Sequence, residues 1–259
     1  MTLAETLARR RRGGRCAFVP FIEAGDRSLR DTERYARELA RAGADVIELG
    51  TPFSDPVADG PTIQEASERA LRGGASLNKV LALAQRLKQA GGPPIVLFTY
   101  LNPALRMGRE EFARRCGRAG VAGALVVDLP AEEWGPWKKA LEARGVEPVL
   151  LASPTTTDER LKLIARRSGS IVYYVSREGV TGARRGLEPS LLARLRHVRR
   201  TIAKPLIVGF GVASREQARA LAPHCGGVVV GSALVAAAAE GGRRRLGRLA
   251  REIVSGLSL

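Results

Sequence analysis

Eight short apolar or β-branched runs recur along the chain, each followed by residues with helical spacing, and few folds accept that rhythm. The runs are CAFVPF (16–21), DVIEL (45–49), IVLFTY (95–100), GALVVD (123–128), EPVLL (147–151), IVYYV (171–175), LIVGF (206–210) and GVVVG (227–231). Most are too continuously apolar to have a wet face, which suits parallel strands covered by helices. Between them, Tyr35 with Leu39 and Ala36 with Ala40 share a helix face, and Leu77, Val80, Leu81, Ala84 and Leu87 line another. Ser214 with Gln217 and Thr156 with Glu159 fit the capping-box pattern, and Ser76 suits an N-cap. Eight strands alternating with helices in 259 residues predict an α/β fold, a (β/α)₈ TIM barrel, with the amphipathic start MTLAETLARRRR as an extra N-terminal helix. The alternative is an open doubly wound sheet, but the glycine fingerprint expected after its first strand is missing. No linker or low-complexity tract divides the chain, so residues 1–259 read as one domain.

Composition narrows the function. No apolar run approaches the roughly 20 residues of a membrane span. The N-terminus runs apolar first and basic second, the reverse of a secretory leader, which points to a cytoplasmic protein. Cys16, Cys116 and Cys225 are odd in number and far apart, and His197 and His224 have no cysteine or carboxylate cluster nearby. Neither a disulfide frame nor a metal site is expected. The net charge of +16 invites a nucleic-acid reading. Aromatic residues are only 5%, too few for base-stacking platforms, so no specific nucleic-acid role is expected. An arginine-rich solvated surface, with non-specific phosphate attraction at low salt, accounts for the charge.

In a barrel, function sits at the C-terminal strand ends and in the loops beyond them. Glu48 falls at the end of the second run and shares its face with Val46, so it points inward. An inward carboxylate is costly unless it is used, or paired with an arginine at the rim. Asp55 and Asp59 follow in SDP and ADGPT, where an aspartate can also bond merely to its own turn. On the far side, GVTGA (179–183), GFGVAS (209–214) and GSALV (231–235) place glycines after the sixth, seventh and eighth runs. Such loops leading into helices are anion seats. Carboxylates facing an anion seat suggest lyase or isomerase chemistry on a phosphorylated substrate.

The stretch ELGTPFSDPVADGPTIQ closely resembles the signature of the tryptophan synthase alpha chain family. The resemblance continues through FVPFIEAGD, YLNPALRMG, DLPAEE, SPTTTDERLKLIA, SREGVTGAR, GFGVAS and GSALV, in the family's order and over nearly the whole chain. It implies a (β/α)₈ barrel that cleaves indole-3-glycerol phosphate to indole and glyceraldehyde 3-phosphate by a retro-aldol reaction. Glu48 matches the family's proton-moving glutamate, and Asp59 the aspartate that stabilises positive charge on the indole nitrogen. Phosphate would fall to Gly182, Gly211, Gly231 and Ser232. Phe21, Leu125, Tyr173 and Phe210 match the indole pocket, where plain core packing is the alternative reading, and Thr181 matches the closing loop. The resemblance also implies a pyridoxal-phosphate-dependent beta chain in an alpha2beta2 assembly, with no cofactor in the present chain. Pro52, Phe53, Asp55, Asn102 and Pro130 match its docking side, with Phe53 expected to face outward. Four positions depart from the family pattern: Glu23 and Arg27 replace a usual Thr and Pro, Thr51 stands for an aliphatic residue, and Ala213 for a polar one.

Overall fold

The computed structural model describes residues 2–175, 189–209 and 211–259. Its strands are β1 (Ala17–Glu23), β2 (Ile47–Gly50), β3 (Ile95–Thr99), β4 (Gly123–Val126), β5 (Glu147–Pro148), β6 (Leu151–Ala152), β7 (Val172–Val175), β8 (Leu206–Gly209) and β9 (Gly227–Val230). All pair in parallel in the order β5-β4-β3-β2-β1-β9-β8-β7-β6.

The two ends of that order are neighbours in sequence, and the link between them closes the barrel. The N–H of Val149 donates to the Ala124 carbonyl at 2.9 Å, and the N–H of Tyr173 to the Leu150 carbonyl at 3.0 Å. The run EPVLL, expected as one strand, is thus two short pieces. Its first half pairs with β4 and its second with β7, so the change of partner falls within the run. β1 extends two residues past the expected end, to Glu23.

Alternation sorts the side chains as a parallel barrel requires. Ala17, Val19, Val46, Val96, Ile207 and Val229 fill the interior, while Ile47 and Leu49 pack outward beneath the helices. The helix Leu3–Arg12 closes the end where the strands begin. Its Leu3 and Leu7 join the interior cluster, each contributing about 1.5–3 kcal/mol by burial. A Thr2–Glu5 capping box starts this helix, and the Glu147 carboxylate accepts the Leu3 N–H at 2.9 Å.

Local signals hold with one shift. Ser214 accepts the Gln217 N–H at 3.3 Å, and Ser76 sits at its N-cap without a side-chain bond. Thr157, not Thr156, caps the helix Asp158–Arg167; Thr156 instead accepts the Ser153 N–H at 2.9 Å in the preceding turn. The helix Ser232–Ser255 breaks at Gly242, where φ is 57°. Near the break the Arg27 guanidinium donates to the Ala239 carbonyl, which gives this departing residue a structural task. The three cysteines are buried and free, with Cys16 and Cys225 Sγ atoms 3.7 Å apart. Among the described residues, no helix is long and apolar enough to cross a membrane.

Candidate active site

A cavity of about 550 Å³ opens where the strands end. It holds Glu48 and Asp59 on one side and Gly209, Gly211, Gly231 and Ser232 on the other, with Phe21, Ile63, Phe98 and Tyr173 among its apolar walls.

Glu48 enters from β2, in register with Phe21 on β1 and Val96 on β3. It is 1% exposed, and its Oε1 has no hydrogen-bond partner among the described residues. No described basic side chain forms an ion pair with it, so the arginine-at-the-rim alternative finds no support there. Burial disfavours its charged form, and the nearby Asp59 carboxylate adds to that, pushing its pKa up to about 8. At neutral pH Glu48 is therefore a proton-bearing acid.

Asp59 is carried by a turn in which its own N–H donates to the Pro56 carbonyl at 3.0 Å. The turn leads into the helix Pro61–Arg72, whose Gln64 holds the Asp59 carbonyl at 2.8 Å. Its carboxylate does not close that turn. It accepts the Tyr100 hydroxyl at 2.8 Å, and the same oxygen of Tyr100 accepts the Ala58 N–H at 3.2 Å. Burial raises the Asp59 pKa, and the Tyr100 hydrogen bond works the other way. Asp55, by contrast, is exposed and accepts the neighbouring Ser54 hydroxyl at 2.7 Å.

The opposite side is built from backbone. Gly231 is the N-cap of the helix Ser232–Ser255, whose first N–H groups have no partner within the helix and suit an anion. Gly211 has a φ of 67°, a left-handed conformation that glycine adopts without strain. At Gly209 a Cβ would stand 2.6 Å from the Tyr173 hydroxyl, so glycine lets that ring approach the strand.

Other expected positions scatter. Phe21 and Tyr173 line the cavity, whereas Leu125 is buried in the barrel interior and is not among the lining residues. Thr181, Gly182 and Phe210 lie outside the described residues. Pro52, Phe53, Asp55 and Asn102 share an outer groove of about 980 Å³ with Arg106, Met107 and Arg115. Pro130 lines a separate hollow of about 230 Å³. Phe53 lines the outer groove half-buried, its ring stacked on Tyr100 at 4.7 Å. Pro52 and Thr51 are buried, and the Thr51 hydroxyl has no partner among the described residues. Ala213 is exposed, its N–H donating to Gln217 Oε1 at 2.8 Å.

Sequence reasoning passed over Phe98 and Tyr100. Phe98 meets Phe21 edge-on at 5.6 Å and Tyr100 at 6.3 Å, so a chain of rings runs from the cavity to Phe53 in the groove. Their position at the end of β3 was the available signal.

A family model described as tryptophan synthase alpha chain matches residues 7–255. The tryptophan synthase alpha chain of Geobacter sulfurreducens is 44% identical over 255 residues, covering 98% of this chain and 97% of that protein. The one from Xanthomonas axonopodis pv. citri is 49% identical over 232 residues, covering 89% and 87%. Among solved structures, a chain of tryptophan synthase from M. tuberculosis superposes with a TM-score of 0.92 at 37% identity, covering 99% of this chain and 98% of that one. A tryptophan synthase alpha chain from Legionella pneumophila gives 0.89 at 33% identity, covering 98% and 95%.

Proposed function

Belonging to the tryptophan synthase alpha chain family, the chain cleaves indole-3-glycerol phosphate to indole and glyceraldehyde 3-phosphate, and we propose that Glu48 moves the protons in that cleavage. The observation that carries this assignment is an inward, 1% exposed acid that keeps its proton at neutral pH. Neutral Glu48 gives its proton to indole C3, which makes the ring a cation centred on nitrogen. The Asp59 carboxylate, held by Tyr100, stabilises that cation. Glu48, now ionised, takes the proton from the side-chain hydroxyl beside C3. The carbon–carbon bond breaks, its electrons return to the ring, and the aldehyde leaves with Glu48 protonated again. Every proton is accounted for, and no metal or cofactor enters.

Phe21, Phe98 and Tyr173 offer flat apolar walls to the indole ring. Gly211, Gly231 and Ser232 offer backbone N–H groups to the phosphate, a role we extend to Gly182, and we keep Thr181 and Phe210 as members of the same pocket, while Leu125 belongs to the barrel interior. The enzyme acts with a beta chain, which holds the pyridoxal phosphate of the complete synthase. We place the docking face at Pro52, Phe53, Asp55, Asn102 and Pro130, in an alpha2beta2 assembly of single-barrel alpha chains in the cytoplasm.

Indole release from indole-3-glycerol phosphate, followed with and without a beta chain, tests the assignment. Wild type releases indole and Glu48→Gln releases it at least about a hundredfold more slowly. Undiminished release by Glu48→Gln would remove Glu48 from the mechanism.

A further inference from the structure

A third carboxyl lies behind the two already assigned. Glu23 ends β1 on the same inward face as Phe21 and is only 5% exposed. It sits in register with Gly50 of β2. A Cβ at Gly50 would collide with Glu23 Oε2 and would stand 2.6 Å from the edge of the Phe21 ring, so carboxyl and ring rest together on that glycine. Glu23 does not line the cavity. It backs a residue that does.

Among the described residues, no counter-charge reaches Glu23. The Arg69 guanidinium, on the helix Pro61–Arg72, is committed to Asp26 through contacts of 2.7 and 3.3 Å, with Glu65 at 3.9 Å beyond. Asp59 takes the Tyr100 hydroxyl. Glu48 faces inward two residues before Gly50. What reaches Glu23 is the Ser67 hydroxyl, while Oε1 is buried without a partner among the described residues. Burial raises its pKa well above the ordinary carboxylate range, and Asp59 and Asp26 add to that by repulsion. A buried carboxyl facing other carboxylates, with no free cation among the described residues, keeps its proton.

We propose that Glu23 is a positioning residue of the cleavage site, carried as a neutral carboxylic acid so that Asp59 remains the one charged carboxyl at the indole nitrogen and the Phe21 ring stays seated on Gly50. Burial disfavours the charged form of Glu23, and the Asp59 and Asp26 charges disfavour it further. With the proton kept on Glu23, the half-buried Asp59 is left free to meet the cation. The role rests on the cleavage reading above; the protonation state does not.

Three measurements test it. In protein labelled with ¹³C at the glutamate carboxyls, one resonance absent from Glu23→Gln should stay in the neutral-acid position through pH 7. Thermal melting supplies the second. The unfolded chain releases this proton above about pH 4.3, whereas the folded chain retains it. Glu23 therefore lowers stability progressively as pH rises from there toward its folded pKa. The melting temperature of Glu23→Gln should gain on wild type as pH rises from about 4.5. The third is kinetic. Glu23→Ala should lower kcat about tenfold with little change in KM, and Glu23→Gln, neutral and similar in shape, should recover most of it. An ionised resonance at pH 7, a pH-independent melting difference, or a Glu23→Gln as slow as Glu23→Ala would each overturn the proposal. If no form released indole, the cleavage reading would fall, and the resonance and the melting would still decide the proton.

Discussion

The two sides of the cavity mouth are made of different material. On the side of β1 and β2 the chemistry sits in side chains: Glu48 and Glu23 are buried, Asp59 is half-buried, and burial pushes all three toward their neutral forms. On the side of β8 and β9 the described lining is largely backbone, at Gly209, Gly211, Gly231 and the start of a helix. The first side should fail when one atom changes at constant shape. The second should fail when shape changes at constant charge. Substitutions of these two kinds can break that division.

Glu48→Gln is the strongest probe of the acidic side. It keeps the shape and removes the transferable proton, and should lower kcat by about 10²–10⁴ with KM nearly unchanged. A parallel rise in KM would mean that Glu48 mainly binds. Wild type adds a pH test. The acid must be protonated to begin the reaction, so indole release should decline as pH rises through about 8, where Glu48 loses its proton. Asp59→Asn comes next, at about 10² in kcat, because an amide does not balance the ring cation.

How far the sequence announced this division depends on the range of the interactions involved. Alternation through Val46, Glu48 and Leu49 is local, and it was enough to turn Glu48 inward. The barrel too could be read from its repeating rhythm, since each strand and helix carries its own periodicity. The break in the fifth strand could not, because it arises where Glu147–Pro148 and Leu151–Ala152 pair with different neighbours. Without the family resemblance, Asp59 could not be told from an ordinary turn aspartate for the same reason. Its partner Tyr100 lies 41 residues away, and only the closed barrel brings the two together. Glu23 stood out as a departure from the family pattern, but that Arg69 does not serve it follows from Arg69 being engaged by Asp26, a long-range choice. No local signal announces that Phe53, in the outer groove, also stacks on Tyr100.

Gly231→Ala probes the backbone side with the smallest change available. A Cβ there would meet Phe21 at 3.6 Å and Ile63 at 3.7 Å, ordinary contacts, so the fold should tolerate it. The methyl would instead crowd the phosphate seat. KM should rise about tenfold, or ~1.4 kcal/mol, with kcat and melting temperature close to wild type. A fall in kcat at constant KM would erase the distinction between the two sides.

Tyr100→Phe should have the smallest effect and divides the acidic side further. It leaves the ring that stacks on Phe53 and removes only the hydroxyl that donates to Asp59. That hydrogen bond favours the ionised aspartate, so its loss raises the Asp59 pKa. Asp59 must be charged to stabilise the cation, and the acid limb of kcat/KM should therefore move to higher pH. Near pH 7 the rate should fall only about threefold, within the ~0.5–1.5 kcal/mol net worth of one hydrogen bond. The alkaline decline belongs to Glu48, which Tyr100 does not touch, and should stay where it was. Movement of both limbs together would show that the carboxyls titrate as one coupled group rather than as separate acids with separate tasks.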